Sequence, residues 1–353
     1  MEEITKIEVK KYDLSLLEPF KISLGTLTKA KNVLVKVFTD DYIGIGEGAP
    51  TPIITGDTQD GSLSFIKDIS SLLINEEFLD MQVLNEKIGR SCTGMTSAKA
   101  ALNIALYDLI GKYFSSPLYK ILGGYRKKIE TDITIGINTP ENVKAKALDA
   151  ISKGYKTLKI KIGTDVNKDF ERVETLSDLG IKIRLDANQG YTPKSAVKFI
   201  RRLKKFDIEF VEQPVPSWDL EGMKYVKENS EIPIIADESI HSARDALKFI
   251  NYNAVDGINI KLMKCGGISN AIEIVHIAET AGIPCMIGCM LESKISVTAA
   301  AHLALAFKNI KYVDLDSHLF LKDDPTSGGI VIRDGVIYPP KKSGLGIETK
   351  QDI

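Results

Sequence analysis

Lys159 and Lys161 stand two apart in the run TLKIKI (157–162), and Lys261 lies in GINIKLM (257–263). Residues two apart on a strand share a face, so Lys159 and Lys161 point one way while Leu158, Ile160 and Ile162 point the other. Burial and neighbouring cations both lower a lysine's pKa, and a lysine brought toward neutrality can act as a general base. Asp186, Glu212 and Asp237 close three other short apolar runs, IKIRLDAN, IEFVEQP and IPIIADES. Three carboxylates without His or Cys suit a hard divalent cation, Mg²⁺ above all. Together these groups suggest removal and return of the α-proton of a carboxylate substrate. The metal would stabilise an enediolate, and Lys161 and Lys261 would address the two faces of one carbon. A β leaving group on the substrate would turn the same start into an elimination. Asp314 and Asp316 flank Leu315 in VDLDS and are not needed for the metal. They suit a substrate ammonium group, or they cap a following helix.

Such chemistry requires elements that bring distant residues together. Eight β-like runs, beginning at residues 131, 157, 181, 208, 232, 257, 283 and 311, alternate with helical segments. One landmark in each (Thr134, Lys159, Asp186, Glu212, Asp237, Lys261, Cys289, Asp314) gives steps of 25, 27, 26, 25, 24, 28 and 25 residues. One strand, one helix and two short loops take about that length. Eight even repeats point to a closed parallel (β/α)8 barrel of the TIM type, whose functional groups sit at the C-terminal strand ends. A doubly wound open sheet is the alternative, without a GxGxxG or Walker motif to support it. Before the repeats, alternating residues 4–12, 32–40 and 43–48 read as strands, 49–60 as an apolar loop, and 61–75 and 97–114 as helices, an α+β unit. Asp334-Gly335 between apolar runs is a hairpin signal in the tail, which is expected to fold back onto the N-terminal unit.

The 353 residues carry 46 basic and 47 acidic side chains, a balance that gives no support for nucleic acid or an anionic membrane as partner. No apolar run reaches about 18 residues, so no transmembrane helix is expected. Cys92, Cys265, Cys285 and Cys289 form no metal or CxxC spacing and read as reduced thiols. With no secretory signal at the N-terminus, a cytoplasmic enzyme is expected. His241, His276, His302 and His318 accompany no GxSxG nucleophile and read as ordinary helix or loop residues. The oligomeric state stays open, a homo-oligomer included.

The motifs KIK (159–161), DAN (186–188), EQP (212–214), ADES (236–239) and NIKLMKCGG (259–267), in this order, resemble the muconate-lactonizing-like subgroup of the enolase superfamily. The DLD of 314–316 resembles the dipeptide epimerases of that subgroup. The resemblance implies a modified barrel over residues 126–320 and an α+β capping domain over 1–125, with lid loops near 18–28 and 48–60. A C-terminal segment, 321–353, would complete both. It also implies one Mg²⁺ on Asp186, Glu212 and Asp237, and Lys161 and Lys261 as acid/bases. Lys159 would bind the substrate carboxylate, Thr134, Cys289, Met290 and Leu291 would line the pocket, and Asp314 and Asp316 would hold the ammonium. The expected reaction inverts Cα of the C-terminal residue of a dipeptide, with L-Ala-L/D-Glu from murein as the leading substrate. Gly25 stands where some Ala-Glu epimerases carry Arg, with Lys21 or Lys294 as substitutes, so hydrophobic dipeptides are a second expectation. N-acylamino acid racemisation, o-succinylbenzoate synthesis and muconate cycloisomerisation are alternatives that leave Asp314 and Asp316 unexplained. A catalytically silent barrel binding metal or peptide is the alternative outside enzymes.

Overall fold

The computed structural model describes residues 2–349. The chain opens with an antiparallel sheet, β1 (Lys6–Ile22), β2 (Gly25–Phe38) and β3 (Ile43–Gly48), followed by α1 (Pro52–Thr55), α2 (Gln59–Ser70), α3 (Met81–Arg90) and α4 (Thr96–Tyr113). The β3 sequence IGIGEG has a packing reason. A Cβ on Gly44, Gly46 or Gly48 would stand 2.2, 2.0 or 2.5 Å from a carbonyl oxygen of α4, so only glycine lets the buried helix lie against the strand. The short α5 (Leu118–Ile121) and β4 (Ile129–Glu130) lead into the barrel.

Eight parallel strands follow: β5 (Ile133–Ile135), β6 (Thr157–Lys161), β7 (Lys182–Asp186), β8 (Ile208–Glu212), β9 (Ile234–Ala236), β10 (Gly257–Ile260), β11 (Cys285–Ile287) and β12 (Ile310–Val313). They pair in chain order and fall on the eight sequence runs. Seven connections cover the outside, built on α6 (Pro140–Ser152), α7 (Val166–Glu174), α8 (Pro193–Arg202), α9 (Leu220–Glu228), α10 (Ala243–Asn251), α11 (Leu262–Cys265) with α12 (Ile268–Thr280), and α13 (Lys294–Ala306). After β12 only a 3₁₀ turn, Ser317–Phe320, stands where an eighth helix would come.

The eight strands form the expected modified barrel, but among the described residues no ladder joins its two end strands, β12 and β5. The seam is held by Asp132 N donating to Val313 O (3.2 Å), Leu315 N to Thr131 Oγ1 (3.1 Å) and Thr134 N to Asp316 Oδ2 (2.6 Å). A carboxylate takes a donor that a neighbouring strand carbonyl would otherwise accept.

The interior alternates as a pleated strand dictates. Phe210, Ile235, Met286 and Tyr312 form a small apolar cluster of their own. Each lies two residues before a residue at the barrel mouth: Glu212, Asp237, Gly288 and Asp314. Arg184 covers this plug, its guanidinium 5.3 and 5.2 Å from the Phe210 and Tyr312 ring centres. Leu158, Ile160 and Ile162 face the helices and belong to the large outer core.

The N-terminal unit differs from its sequence reading in three places. Residues 18–28 are not a loop: β1 and β2 run on as one hairpin whose turn is Ser23–Leu24, with a register shift between Ser15 and Phe20. The alternation of Phe20, Ile22 and Leu27 allows this pairing to persist beyond the body of the sheet. Residues 48–60 contain α1, and Asp57, buried, accepts Ser97 N at 2.7 Å to cap α4. Helix α3, Met81–Arg90, lies between the two helices that the periodicity predicts.

The tail adds β13 (Thr326–Gly328), β14 (Val331–Arg333), β15 (Val336–Tyr338) and β16 (Ile347–Thr349). Asp334-Gly335 turns the β14–β15 hairpin, with φ of 50° and 69°. That hairpin pairs with β4 at the entrance of the barrel. Residues 344–345 reach the N-terminal unit, where Leu345 N donates to Asp108 Oδ1 at 2.8 Å. No helix among the described residues is long and apolar enough to cross a membrane.

His302 of α13 is fully buried, and its Nδ1 accepts Tyr119 N at 3.1 Å. Burial lowers its pKa to about 4, so the folded chain keeps it neutral while the unfolded chain protonates it below about 6.5. This contribution to stability is complete above about pH 6.5 and is lost as pH falls toward 4. It amounts to about 3 kcal/mol at the acid end. We expect the melting temperature to drop between pH 7 and 4.5, and His302→Asn, which keeps an acceptor for Tyr119, to flatten part of that drop. An unchanged pH slope in the variant would remove His302 as its source.

Candidate active site

Asp186 and Glu212 are the last residues of β7 and β8, and Asp237 follows β9 directly. One oxygen from each lies within 4.8 Å of the other two, and all three side chains are fully buried. Glu212 Oε2 and Asp237 Oδ1 make no hydrogen bond. Ammonium groups nevertheless stand close to them, Lys159 Nζ 2.9 Å from the first and Lys264 Nζ 2.6 Å from the second. Buried carboxylate oxygens with free lone pairs, converging without nitrogen or sulfur ligands, fit a hard divalent cation. Burial and the Asp186 charge push Glu212 up to about 8. Burial also opposes the charge of Asp186 and Asp237, but adjacent lysines more than offset it and hold both below the usual carboxylate range.

Lys159 and Lys161 both face inward and are buried. Lys159 Nζ stands 3.0 Å from Asp186, 2.9 Å from Glu212 and 2.7 Å from Asp314. Lys161 Nζ donates to Asp186 Oδ2 at 2.6 Å and to Asn188 Oδ1 at 3.0 Å. Lys261, just past the end of β10 and four strands round the ring from β6, donates to Asp237 Oδ2 at 2.6 Å. The two ammonium groups thus flank the carboxylate cluster, one bonded to Asp186 and one to Asp237. The expectation of lowered lysine pKa values does not hold for Lys159 and Lys261. Burial works to lower both, but the surrounding carboxylates outweigh it and raise them above the ordinary lysine range. The anions that face each lysine come from other strands, Asp186 and Glu212 for Lys159 and Asp237 for Lys261.

At the seam, Asp314 and Asp316 are buried together beside Thr134. Thr134 Oγ1 donates to Asp314 Oδ1 at 3.2 Å, and Asp316 takes the Thr134 amide. Burial opposes ionisation of both. Lys159 overcomes this for Asp314 and holds it well below the usual range, whereas burial and the Asp314 charge push Asp316 up to about 7. Cys289 lies against the same strand end, its Sγ 3.3 Å from Asp314 O. Met290 N donates to Glu292 Oε1 at 2.7 Å, and Leu291 O accepts Asn32 Nδ2 of β2 at 2.9 Å. The sequence-derived site residues therefore meet around one barrel mouth, roofed by the N-terminal sheet.

Further residues take part in the site. Asp132, Arg184 and Asn259 each stand two residues before a recognised position (Thr134, Asp186, Lys261) and so share its face, a signal that was available. Arg184 Nη1 pairs with Asp132 at 2.8 Å, and Asn259 Nδ2 donates to Glu212 Oε1 at 2.8 Å. Asp132 joins Asp314 and Asp316 in a second buried carboxylate group. The Lys264 ammonium, three residues after Lys261, stands 2.6 Å from Asp237 Oδ1 as an ion pair and donates to the backbone oxygen of Asp237. Glu47 of β3, fully buried, accepts Ser293 N (3.0 Å) and Asn32 Nδ2 (2.7 Å), and so ties the roof to the start of α13.

Residues 142–353 match the family described as enolase C-terminal domain-like. Residues 5–123 match the N-terminal domain of mandelate racemase / muconate lactonizing enzyme. The chain belongs to the enolase superfamily. Within it, the sequence is 44% identical to a hydrophobic dipeptide epimerase of Enterococcus faecalis, over 98% of this chain and 99% of that one. It is 42% identical to an L-Ala-D/L-Glu epimerase of Clostridium acetobutylicum, over 98% of each chain. The structure superposes with a TM-score of 0.95, at 43% identity and over 98% and 99% of the two chains, on the E. faecalis dipeptide epimerase complexed with Mg and L-Leu-L-Tyr. These enolase-superfamily relatives are isomerases acting on amino-acid derivatives, and the two named above differ in the dipeptide they are named for.

Proposed function

We propose that the chain is a Mg²⁺-dependent dipeptide epimerase that inverts Cα of the C-terminal residue by two-base 1,1-proton transfer. The reading rests on Lys161 and Lys261 flanking the trio Asp186, Glu212 and Asp237, with Asp314 and Asp316 to one side. Mg²⁺ held by the trio would neutralise charge that develops on the substrate carboxylate as the α-proton leaves. Lys159 binds that carboxylate and pairs its charge. Lys161 takes or returns the proton on one face of Cα, Lys261 on the other. Asp314 and Asp316 receive the free ammonium of the N-terminal residue, while Thr134 fixes their orientation and Cys289, Met290 and Leu291 line the adjoining wall. Silent binding does not account for two buried lysines facing each other across the trio, and N-acylated substrates lack the charge that the aspartate pair would meet.

The test is ²H incorporation at the C-terminal Cα of a dipeptide library in D₂O with Mg²⁺. Exchange is expected for L-Ala-L-Glu first. Dipeptides with an apolar C-terminal residue are a second reading, favoured by the hairpin tip. Gly25 there brings no side chain, and Lys21 lines an outer groove with Lys168 and Arg172 instead of the barrel mouth. No exchange across the library would remove the epimerase assignment.

The aspartate pair makes a separate prediction. An ammonium ligand prefers ionised Asp316, so KM should rise as pH falls below about 7, the value to which Asp316 is pushed. Asp316→Asn should raise KM by about 10- to 100-fold, since a hydrogen bond to a charged group contributes roughly 1.5–3 kcal/mol. It should also lose that pH dependence. Unchanged kinetics in Asp316→Asn would discard the ammonium role.

A further inference from the structure

The hairpin tip rests on the barrel at two places. Ile137 N donates to Lys21 O at 2.9 Å, and Ser23 Oγ donates to Asn188 O at 2.8 Å. The second contact falls on an unusual residue. Asn188 has φ of +39° and Gln189 after it +68°, left-handed values that, Asn apart, a residue with a side chain seldom holds unless its neighbours over-determine it. Here they do. Asn188 N is bound to Asp186 Oδ1 at 2.9 Å. The peptide unit joining Asn188 to Gln189 is held from both sides, its oxygen by Ser23 and its N–H by Gln213 O at 2.8 Å. Asn188 lies 2% exposed, with Oδ1 accepting Lys161 Nζ at 3.0 Å and Nδ2 donating to Glu238 Oε1 at 3.1 Å. A single residue therefore touches the lid with its backbone and one lysine with its side chain. Lys261 has no such link. Its hydrogen bond goes to Asp237, and among the described residues no hydrogen bond joins it to the hairpin.

We propose that Asn188 is a positioning residue that transmits docking of the hairpin tip, through Ser23, to Lys161, so that lid closure sets the reach of one base and leaves the other unaffected. With the tip undocked, the Asn188 carbonyl loses its outer partner, and the strained turn relaxes with its side-chain amide. Lys161 then keeps Asp186 as partner but loses the second contact that aims its ammonium. Lys261, on the far side of the carboxylate trio, keeps its geometry. The inference rests on Lys161 and Lys261 being the two bases.

The test measures solvent ²H exchange at Cα separately from the two epimers of one dipeptide substrate. Lys161→Ala first identifies the epimer whose exchange depends on Lys161. If it slows both epimers equally, the two-base reading itself falls. Asn188→Gly keeps the left-handed backbone and the carbonyl that Ser23 uses, and removes only the amide. It should slow exchange of the Lys161-dependent epimer about tenfold or more and the other by less than about twofold, since small misplacement of a reacting group is costly. Ser23→Ala, at a half-buried position of the hairpin tip outside both cores, should give the same one-sided loss at about threefold, with Ser23→Thr restoring it. Amide hydrogen exchange over residues 21–26 should rise in Ser23→Ala. The double variant should be no slower than Asn188→Gly alone. Equal losses on both faces, no loss, or losses that multiply in the double variant would each overturn the proposal.

Discussion

If Lys161 and Lys261 are the two bases, Lys161→Ala is expected to abolish epimerisation, by about 10³-fold or more, yet to leave half of the chemistry running. General acid–base groups contribute roughly 10²–10⁴-fold, and inversion needs one on each face of the carbon. With Lys161 gone, Lys261 still removes and returns the proton on its own face, so one epimer of the dipeptide keeps exchanging with D₂O without inverting. Lys261→Ala gives the mirror result. The substitution does not strand Asp186, because Lys159 remains 3.0 Å from the same oxygen. The fold therefore survives, and the loss reads as chemistry. Mass spectrometry of each epimer after incubation with either variant decides the matter. Interconversion at more than about a tenth of the wild-type rate in Lys161→Ala would exclude it as a base.

Glu212→Gln is expected to lose activity on the order of 10³-fold, since charge stabilisation by a bound metal is worth several kcal/mol, while leaving the metal-free protein as stable as before or more so. Glu212 is fully buried, and burial with the Asp186 charge pushes it up to about 8. A carboxylate raised in the folded state contributes its full share of stability below the value of a free carboxylate. It loses that share as pH climbs to about 8. Glutamine carries no such loss, so above pH 8 the variant without metal should be more stable by on the order of 3 kcal/mol. Its Oε1 still accepts Asn259 Nδ2. Mg²⁺ should reverse the order, because ligand binding to the folded state raises the melting temperature of the wild type and much less that of the variant. Calorimetry at pH 6 and 9 with and without Mg²⁺ tests both halves. A variant that melts lower than the metal-free wild type at pH 9 would show that Glu212 supports the fold instead of serving a cation.

The hairpin over residues 18–28 shows why part of the site is not legible in the chain. The family resemblance places a loop near 18–28, whereas in space the run is a hairpin. Its cross-strand pairs are short-range, Phe20 with Leu27 and Lys21 with Thr26, but the barrel residues it docks on, Ile137 and Asn188, lie far away in the chain. The seam is similar: Asp316 takes the Thr134 amide, a contact across 182 residues. Asp132, Arg184 and Asn259 could have been found by stepping back two residues from each recognised position. Lys264 and Glu47 offered no comparable signal, because a helix turn and a strand of another unit bring them in.

By itself, the sequence determined the spacing of eight strand–helix units, the inward face of each strand and the chemical type of the side chains at their ends. These are local properties, set by a period of two along a strand and by the length needed to return to the next one. The tertiary structure decided the electrostatic state of those side chains. Lys159 and Lys261, expected near neutrality, are held charged by acids from neighbouring strands, and Asp314 and Asp316, two residues apart, are pushed in opposite directions. Charge interactions act through space between groups far apart in the chain, and burial removes the water that would screen them. That sum exists only once the barrel has brought the strands side by side.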